Sequence, residues 1–130
     1  MEQPTYPYLS NTVLGTPDPQ GLAAFYLDLL GWRYRDEDHS DPTWVVIKPT
    51  SGGTGLSFQL EEEHEPPQWP TRRGAQQMQL HLDIGVADLD AEVARAEGLG
   101  ARQAQWQPQD DVRVMLDPAG HPFCLFAPGG

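Results

Sequence analysis

The sequence predicts an α+β fold built from two tandem β-α-β-β-β modules, and three observations carry that expectation. Two segments have helical apolar spacing with a cap at each end, and each closes on a Leu-Gly pair, Leu30-Gly31 and Leu99-Gly100. Around them run short stretches rich in β-branched and aromatic residues, bounded by Gly or Pro. Between the two copies lies a polar, proline-rich connection, EEEHEPPQWPTRRGA, residues 61–75. The same order of elements on either side reads as an internal duplication. Module 1 then covers about 6–61, the linker 62–75 and module 2 about 76–128 of a single domain spanning 1–130.

Taken in order, YLSNTVLG (8–15) is a short strand. In the helix that follows, Asp18 is a good N-cap and Pro19 suits the first helical position, where its missing N–H has no partner to lose. Leu22, Phe25, Tyr26 and Leu29 fall at i, i+3, i+4, i+7, and Gly31 ends the run. The strands WRYRDE (32–37), TWVVIKP (43–49) and GLSFQLE (55–61) complete module 1. Module 2 opens with QMQLHLDIGV (77–86). Its helix is capped by Asp88, carries Leu89, Val93 and Ala96 as its apolar stripe, and stops at Gly100. ARQAQWQ (101–107), VRVMLDP (112–118) and PFCLFAP (122–128) are its remaining strands.

Composition narrows the function classes. Nineteen acidic against eight basic residues give a net charge of −11. Such a surface repels nucleic-acid phosphates and anionic membranes, and it suits a neutral or cationic small molecule. A single cysteine excludes an internal disulfide, and without a Cys-x-x-Cys pair there is no structural zinc motif. No apolar run approaches the ~20 residues that span a bilayer. MEQPTYPYLS lacks the basic start and apolar core of a signal peptide, so the expected location is cytoplasmic.

Alternation assigns faces. Met78, Leu80, Leu82, Ile84 and Val86 share one side of their strand and are expected to pack under a helix, leaving Gln79, His81 and Asp83 on the other. Ser57 and Gln59 oppose Leu56 and Phe58, while Cys124 and Phe126 oppose Phe123 and Leu125. Trp44 and Trp106 fall on expected strands and are candidates to wall an apolar pocket. Asp117-Pro118-x-Gly120 is a turn signal without chemistry of its own.

Four stretches, in this order and spacing, carry a family resemblance. They are Asp18 through Phe25-Tyr26 to Gly31, HLDIGVADLDA (81–91), Leu99-Gly100-Ala101, and DPAGHPF (117–123). The chain resembles the vicinal oxygen chelate superfamily of glyoxalases, bleomycin-resistance proteins and extradiol dioxygenases, and within it the glyoxalase-like domains. The resemblance implies modules that curl into a cup-shaped mixed sheet with the helices outside, and frequent homodimers. It also implies four positions that hold a divalent metal in the metal-dependent members. Here those positions fall on Asn11, Ser57, His81 and Cys124, where the metalloenzymes carry His or Gln, Glu, His and Glu.

Only His81 matches that pattern. An imidazole with an amide, a hydroxyl and a thiol makes a poor cage for a hard divalent ion, so no metal, no cofactor and no catalytic residue is expected. Cys124 reads as a small buried filler ahead of a thiol lining the cup, and far ahead of a nucleophile. The expected ligand-binding set is Asn11, Trp44, Ser57, Gln59, His81, Asp83, Trp106, Cys124 and Phe126. Three functions stay open. The first is a metal-free small-molecule binding protein. The second is a metal-dependent lyase or dioxygenase that recruits Glu61, Asp83 or His39 as further ligands. The third is a metal-free lyase or isomerase with His81 or Asp83 as general base.

Overall fold

The computed structural model describes residues 6–128. Its elements follow the order β-α-β-β-β twice, giving an α+β fold with two helices and two four-stranded mixed sheets. The chain divides into two compact units between Glu62 and Glu63, and the proline-rich stretch belongs to the second.

In the first unit, β1 (Asn11–Thr16) leads into α1 (Pro19–Leu30), followed by β2 (Arg33–Tyr34), β3 (Trp44–Lys48) and β4 (Gly55–Leu60). The sheet order is β1-β4-β3-β2, with β1 parallel to β4 and the other pairs antiparallel. The Asp18 carboxylate accepts from the Gly21 N–H at 3.0 Å, and Gly31 closes the helix at φ 67°, a left-handed conformation that suits glycine. Leu22, Phe25, Tyr26 and Leu29 are all buried, and Tyr26 stacks on Phe58 of β4 with ring centroids 5.9 Å apart. The helix therefore covers one face of its sheet, as its apolar spacing requires.

The second unit repeats the plan. It consists of β5 (Leu82–Gly85), α2 (Leu89–Leu99), β6 (Arg102–Gln103), β7 (Val112–Leu116) and β8 (Pro122–Phe126), in sheet order β5-β8-β7-β6. Again the first strand runs parallel to the last. Val93 and Ala96 of α2 are buried, as are Met115, Phe123 and Leu125 of the sheet.

Several expectations about strands change; the strand expected over 32–37 is only Arg33–Tyr34. Strand β5 begins at Leu82 rather than Gln77: among the described residues it pairs with β8 alone, and the first paired residues are Leu82 and Phe123. His81 therefore sits just before the strand, and Leu80, expected on the packed face, is half exposed. Strand β6 is two residues long, not seven. Beyond it the Gln107 amide does the work of a neighbouring strand, donating to the Val114 carbonyl and accepting from the Val114 N–H, both at 2.8 Å. Trp106 consequently lies on a loop and is exposed.

The turn from β7 to β8 is rigidly wired. Oδ1 of the fully buried Asp117 accepts from the N–H groups of Ala119 at 2.9 Å and His121 at 3.0 Å. The Gly120 N–H donates to the Asp117 carbonyl at 2.8 Å. From the proline-rich stretch, His64 Nε2 meets the Ala119 carbonyl at 2.8 Å, and its ring lies 5.0 Å from that of His121. This turn sets the start of β8, the strand that carries Cys124.

Candidate functional site

Parallel pairing of β5 with β8 places Asp83 directly opposite Cys124 and Gly85 opposite Phe126. Paired residues project to the same side of a sheet. That side is opposite to Phe123 and Leu125, which are buried with Met115. His81, two residues before Asp83, adds its ring to the same side, and Val112 of β7 pairs with Phe126. The result is a pocket of about 350 Å³ lined by His81, Asp83, Cys124 and Phe126 together with Gln109, Asp111, Val112 and Ala127. Its size lies near the lower end for small-molecule sites, roughly 300–1,000 Å³.

The polar side chains of this pocket touch one another. His81 Nε2 lies 3.1 Å from Asp83 Oδ1, and the Cys124 thiol donates a hydrogen bond to the Asp83 carboxylate. Partial burial pushes the thiol pKa up, and the negative charge of Asp83 and its acceptor role push it further. Each effect favours the neutral S–H over the thiolate. Cys124 is therefore a half-buried, protonated thiol, quiet as a nucleophile at neutral pH.

Of the nine residues expected at the site, the structure gathers His81, Asp83, Cys124 and Phe126 in this one pocket. Asn11, Trp44, Ser57 and Gln59 belong to the first unit. There, Asn11 Oδ1 and Ser57 Oγ are buried and have no hydrogen-bond partner among the described residues, while Gln59 donates to the Glu61 carboxylate at 2.7 Å. Buried oxygens of this kind carry a desolvation penalty until something bonds them. Trp106 is absent from the pocket lining. It packs against Trp69, ring centroids 5.5 Å apart, and its carbonyl accepts the Trp69 indole N–H at 3.1 Å. His39 stacks on Tyr34 at 3.5 Å, in the loop after β2.

Gln109 and Asp111 escaped the sequence reading because they precede β7 on a loop, where no periodicity signals a face. The nearest clue is Arg113, whose Nη1 donates to the carbonyls of Asp110 at 2.9 Å and Val112 at 3.1 Å. That guanidinium binds the loop's backbone and so holds Gln109 and Asp111 at the pocket rim.

The four positions at which metal-dependent relatives carry ligands supply an amide oxygen, a hydroxyl, an imidazole and a thiol with raised pKa. A cage for a hard divalent ion is built from carboxylates, imidazoles and water. This donor set does not fit one.

Two tandem β-α-β-β-β modules are the plan of the glyoxalase-like class of the vicinal oxygen chelate superfamily. The family model described as "Glyoxalase-like domain" matches residues 11–126, and the chain belongs to that family. Solved structures share the fold at low sequence identity. A glyoxalase/bleomycin resistance protein/dioxygenase family enzyme from Burkholderia phytofirmans is 18% identical, with 92% of this chain and 97% of that one covered at a TM-score of 0.68. TnmS3, an antibiotic binding protein from Streptomyces, is also 18% identical, with 98% and 100% covered at 0.58. A fosfomycin resistance protein from Listeria monocytogenes, complexed with Mn(II) and a dihydroxypropylphosphonic acid, is 14% identical, with 92% and 90% covered at 0.66. No curated protein matches the chain at a significant level. Among the described residues, no helix is long and apolar enough to cross a membrane.

Proposed function

We propose that this chain is a small-molecule binding protein whose ligand carries a positive charge beside an apolar or aromatic group. One observation carries the reading. Asp83 and Asp111 share a pocket with Phe126, Val112 and Ala127, so carboxylates stand beside an apolar wall. An amine placed there gains charge-assisted hydrogen bonds while its ring packs on Phe126. The overall charge of −11 adds a long-range attraction for the same ligands. Chemistry by a hard divalent ion is not part of the proposal, because the donor set described above does not suit one. The antibiotic-binding neighbour supports a binding role, in that this fold serves such a role in that protein. Tyr6, Tyr8 and Leu9, exposed in the first unit, support the homodimer expected from the family, which light scattering tests.

The experiment is a thermal-shift titration of metal-free protein with a series of phenethylamines and their carboxylate counterparts. The amines are expected to stabilise the protein saturably and the carboxylates not at all. Phe126→Ala and Asp111→Asn should each weaken the effect. Equal response to amine and carboxylate, or no response to either, refutes the cationic reading.

A further inference from the structure

We propose that the outer edge of β6 and Trp69 form a second binding site, for a flat, uncharged heterocycle that carries a lactam N–H beside its carbonyl. The site goes beyond the cationic-ligand pocket and does not depend on that reading. A cavity of about 380 Å³ is lined by Trp69, Arg102, Gln103, Ala104, Gln105 and Leu116. It shares no residue with the pocket at Asp83. Val112 lines that pocket and Leu116 lines this cavity, and the two stand at opposite ends of β7, about 13 Å apart by strand rise.

Register fixes which backbone groups face outward here. The Ala104 N–H donates to the Val114 carbonyl at 2.9 Å, so Ala104 and Val114 continue the β6–β7 ladder as a hydrogen-bonded pair. Arg102 pairs with Leu116 and Gln103 with Met115. Hydrogen-bonded and non-hydrogen-bonded pairs alternate in an antiparallel ladder, so the Gln103 N–H and C=O turn away from β7. Strand β6 is the last of its sheet, and among the described residues neither group has a hydrogen-bond partner. A donor and an acceptor side by side match the C=O and N–H of a lactam, as they would match one residue of a neighbouring strand. A whole peptide strand is a poorer fit, because β6 is two residues long and turns only Gln103 outward. The remaining walls suit a flat ring. Trp69 is fixed by its indole N–H on the Trp106 carbonyl, at 3.1 Å, and by the Trp106 ring. Its own ring lines the cavity and gives heteroaromatic rings a surface on which to stack. Arg102 has no ion-pair partner among the described residues and is placed to donate to a second carbonyl. The net charge of −11 disfavours an anion in its place.

The test follows the amide resonances of isotope-labelled protein during titration with isocarbostyril, a lactam fused to a benzene ring, and with its N-methyl derivative, which keeps the rings and loses the donor. The proposal expects saturable shifts at the Gln103 amide and the Trp69 indole with isocarbostyril. The N-methyl form should bind roughly tenfold more weakly, because it leaves the Gln103 carbonyl unpaired against a methyl group. Trp69→Ala should weaken isocarbostyril by about tenfold as well, the usual effect of removing a stacking aromatic. Gln103→Pro removes the outward N–H and spares the ladder, since proline is tolerated where an edge N–H faces solvent, and it too should weaken binding. The comparison of the two lactams on the wild-type protein stands whether or not the variants fold. Absence of a shift at Gln103 at millimolar isocarbostyril overturns the proposal, as do equal affinities of the two lactams or an affinity unchanged in both variants. So do shifts confined to Cys124 and Phe126, which would place the lactam in the other pocket. Tighter binding of an extended, end-capped tripeptide at the same amides would make the edge a peptide site and overturn it too. None of these probes carries a positive charge, so the cationic-ligand reading keeps its own test.

Discussion

Gly120 gives the sharpest test of how the β7–β8 turn is held. Its φ is +86°, in the region where an L-residue clashes with its own backbone at a cost of roughly 1–2 kcal/mol. A Cβ at this position would also lie 2.6 Å from Cβ and 3.2 Å from Cγ of Pro66, closer than packed carbons stand. Forcing one extra carbon into such a contact costs about 1–3 kcal/mol. Alanine recovers roughly 0.4–1 kcal/mol by restricting the unfolded chain. The net expectation for Gly120→Ala is a loss of about 2–4 kcal/mol from the sum of these effects. For a chain of this length each kcal/mol lowers the midpoint by roughly 3–5 °C, so the melting temperature should fall by about 6–20 °C. Calorimetry or a urea titration of both proteins measures it. A double-mutant cycle with Pro66→Gly separates the two causes, since removing the Pro66 side chain relieves the contact but leaves the φ penalty. Wild-type stability in Gly120→Ala, or a coupling of zero in the cycle, would refute the packing of the proline-rich stretch on this turn.

Two further outcomes follow from the same unit. Asp117→Ala strands the Ala119 and His121 N–H groups that the buried carboxylate now satisfies, and it should lower stability by about 2–4 kcal/mol in urea titration; Asp117→Asn, which keeps an acceptor oxygen, should recover part of it, and a loss below about 1 kcal/mol would contradict the wiring. In metal-free protein, Asp83→Asn should speed alkylation of Cys124 by iodoacetamide near pH 8 and move the rate–pH profile to lower pH. The carboxylate holds the thiol proton through its charge and its hydrogen bond, and the thiolate is the reacting form. An unchanged profile would mean that burial alone sets the thiol.

The parts of the fold legible in the sequence are those governed by neighbours along the chain. Asp18 and Gly31, like Asp88 and Gly100, cap their helices through contacts three or four residues away, and both helices run between those caps. Strand extent was less legible because a strand exists only where a partner does. Residues 77–81 alternate as well as 82–86, yet β8 starts at Pro122 and gives them nothing to pair with. Nor does composition reveal that, past the end of β6, the Gln107 side chain takes the Val114 N–H and shares the Val114 carbonyl with the Ala104 N–H.

The candidate site was legible to the same limit, and Cys124 shows why the remainder was not. Alternation puts Cys124 and Phe126 on one face of their strand, and His81 and Asp83 on one face of theirs. Only the parallel register brings Asp83 opposite the thiol, and a register between strands some forty residues apart is written in neither of them. That contact sets the carboxylate's effect on the thiol. Partial burial, together with the carboxylate's charge, favours the protonated sulfur, although Cys124 lines the pocket rather than filling the core as the sequence suggested. Asp83→Asn keeps the size of the side chain and removes the charge, so a faster-reacting Cys124 in that variant reads the charge of Asp83, while a residue that merely packed beside the thiol would leave its rate–pH profile where it is.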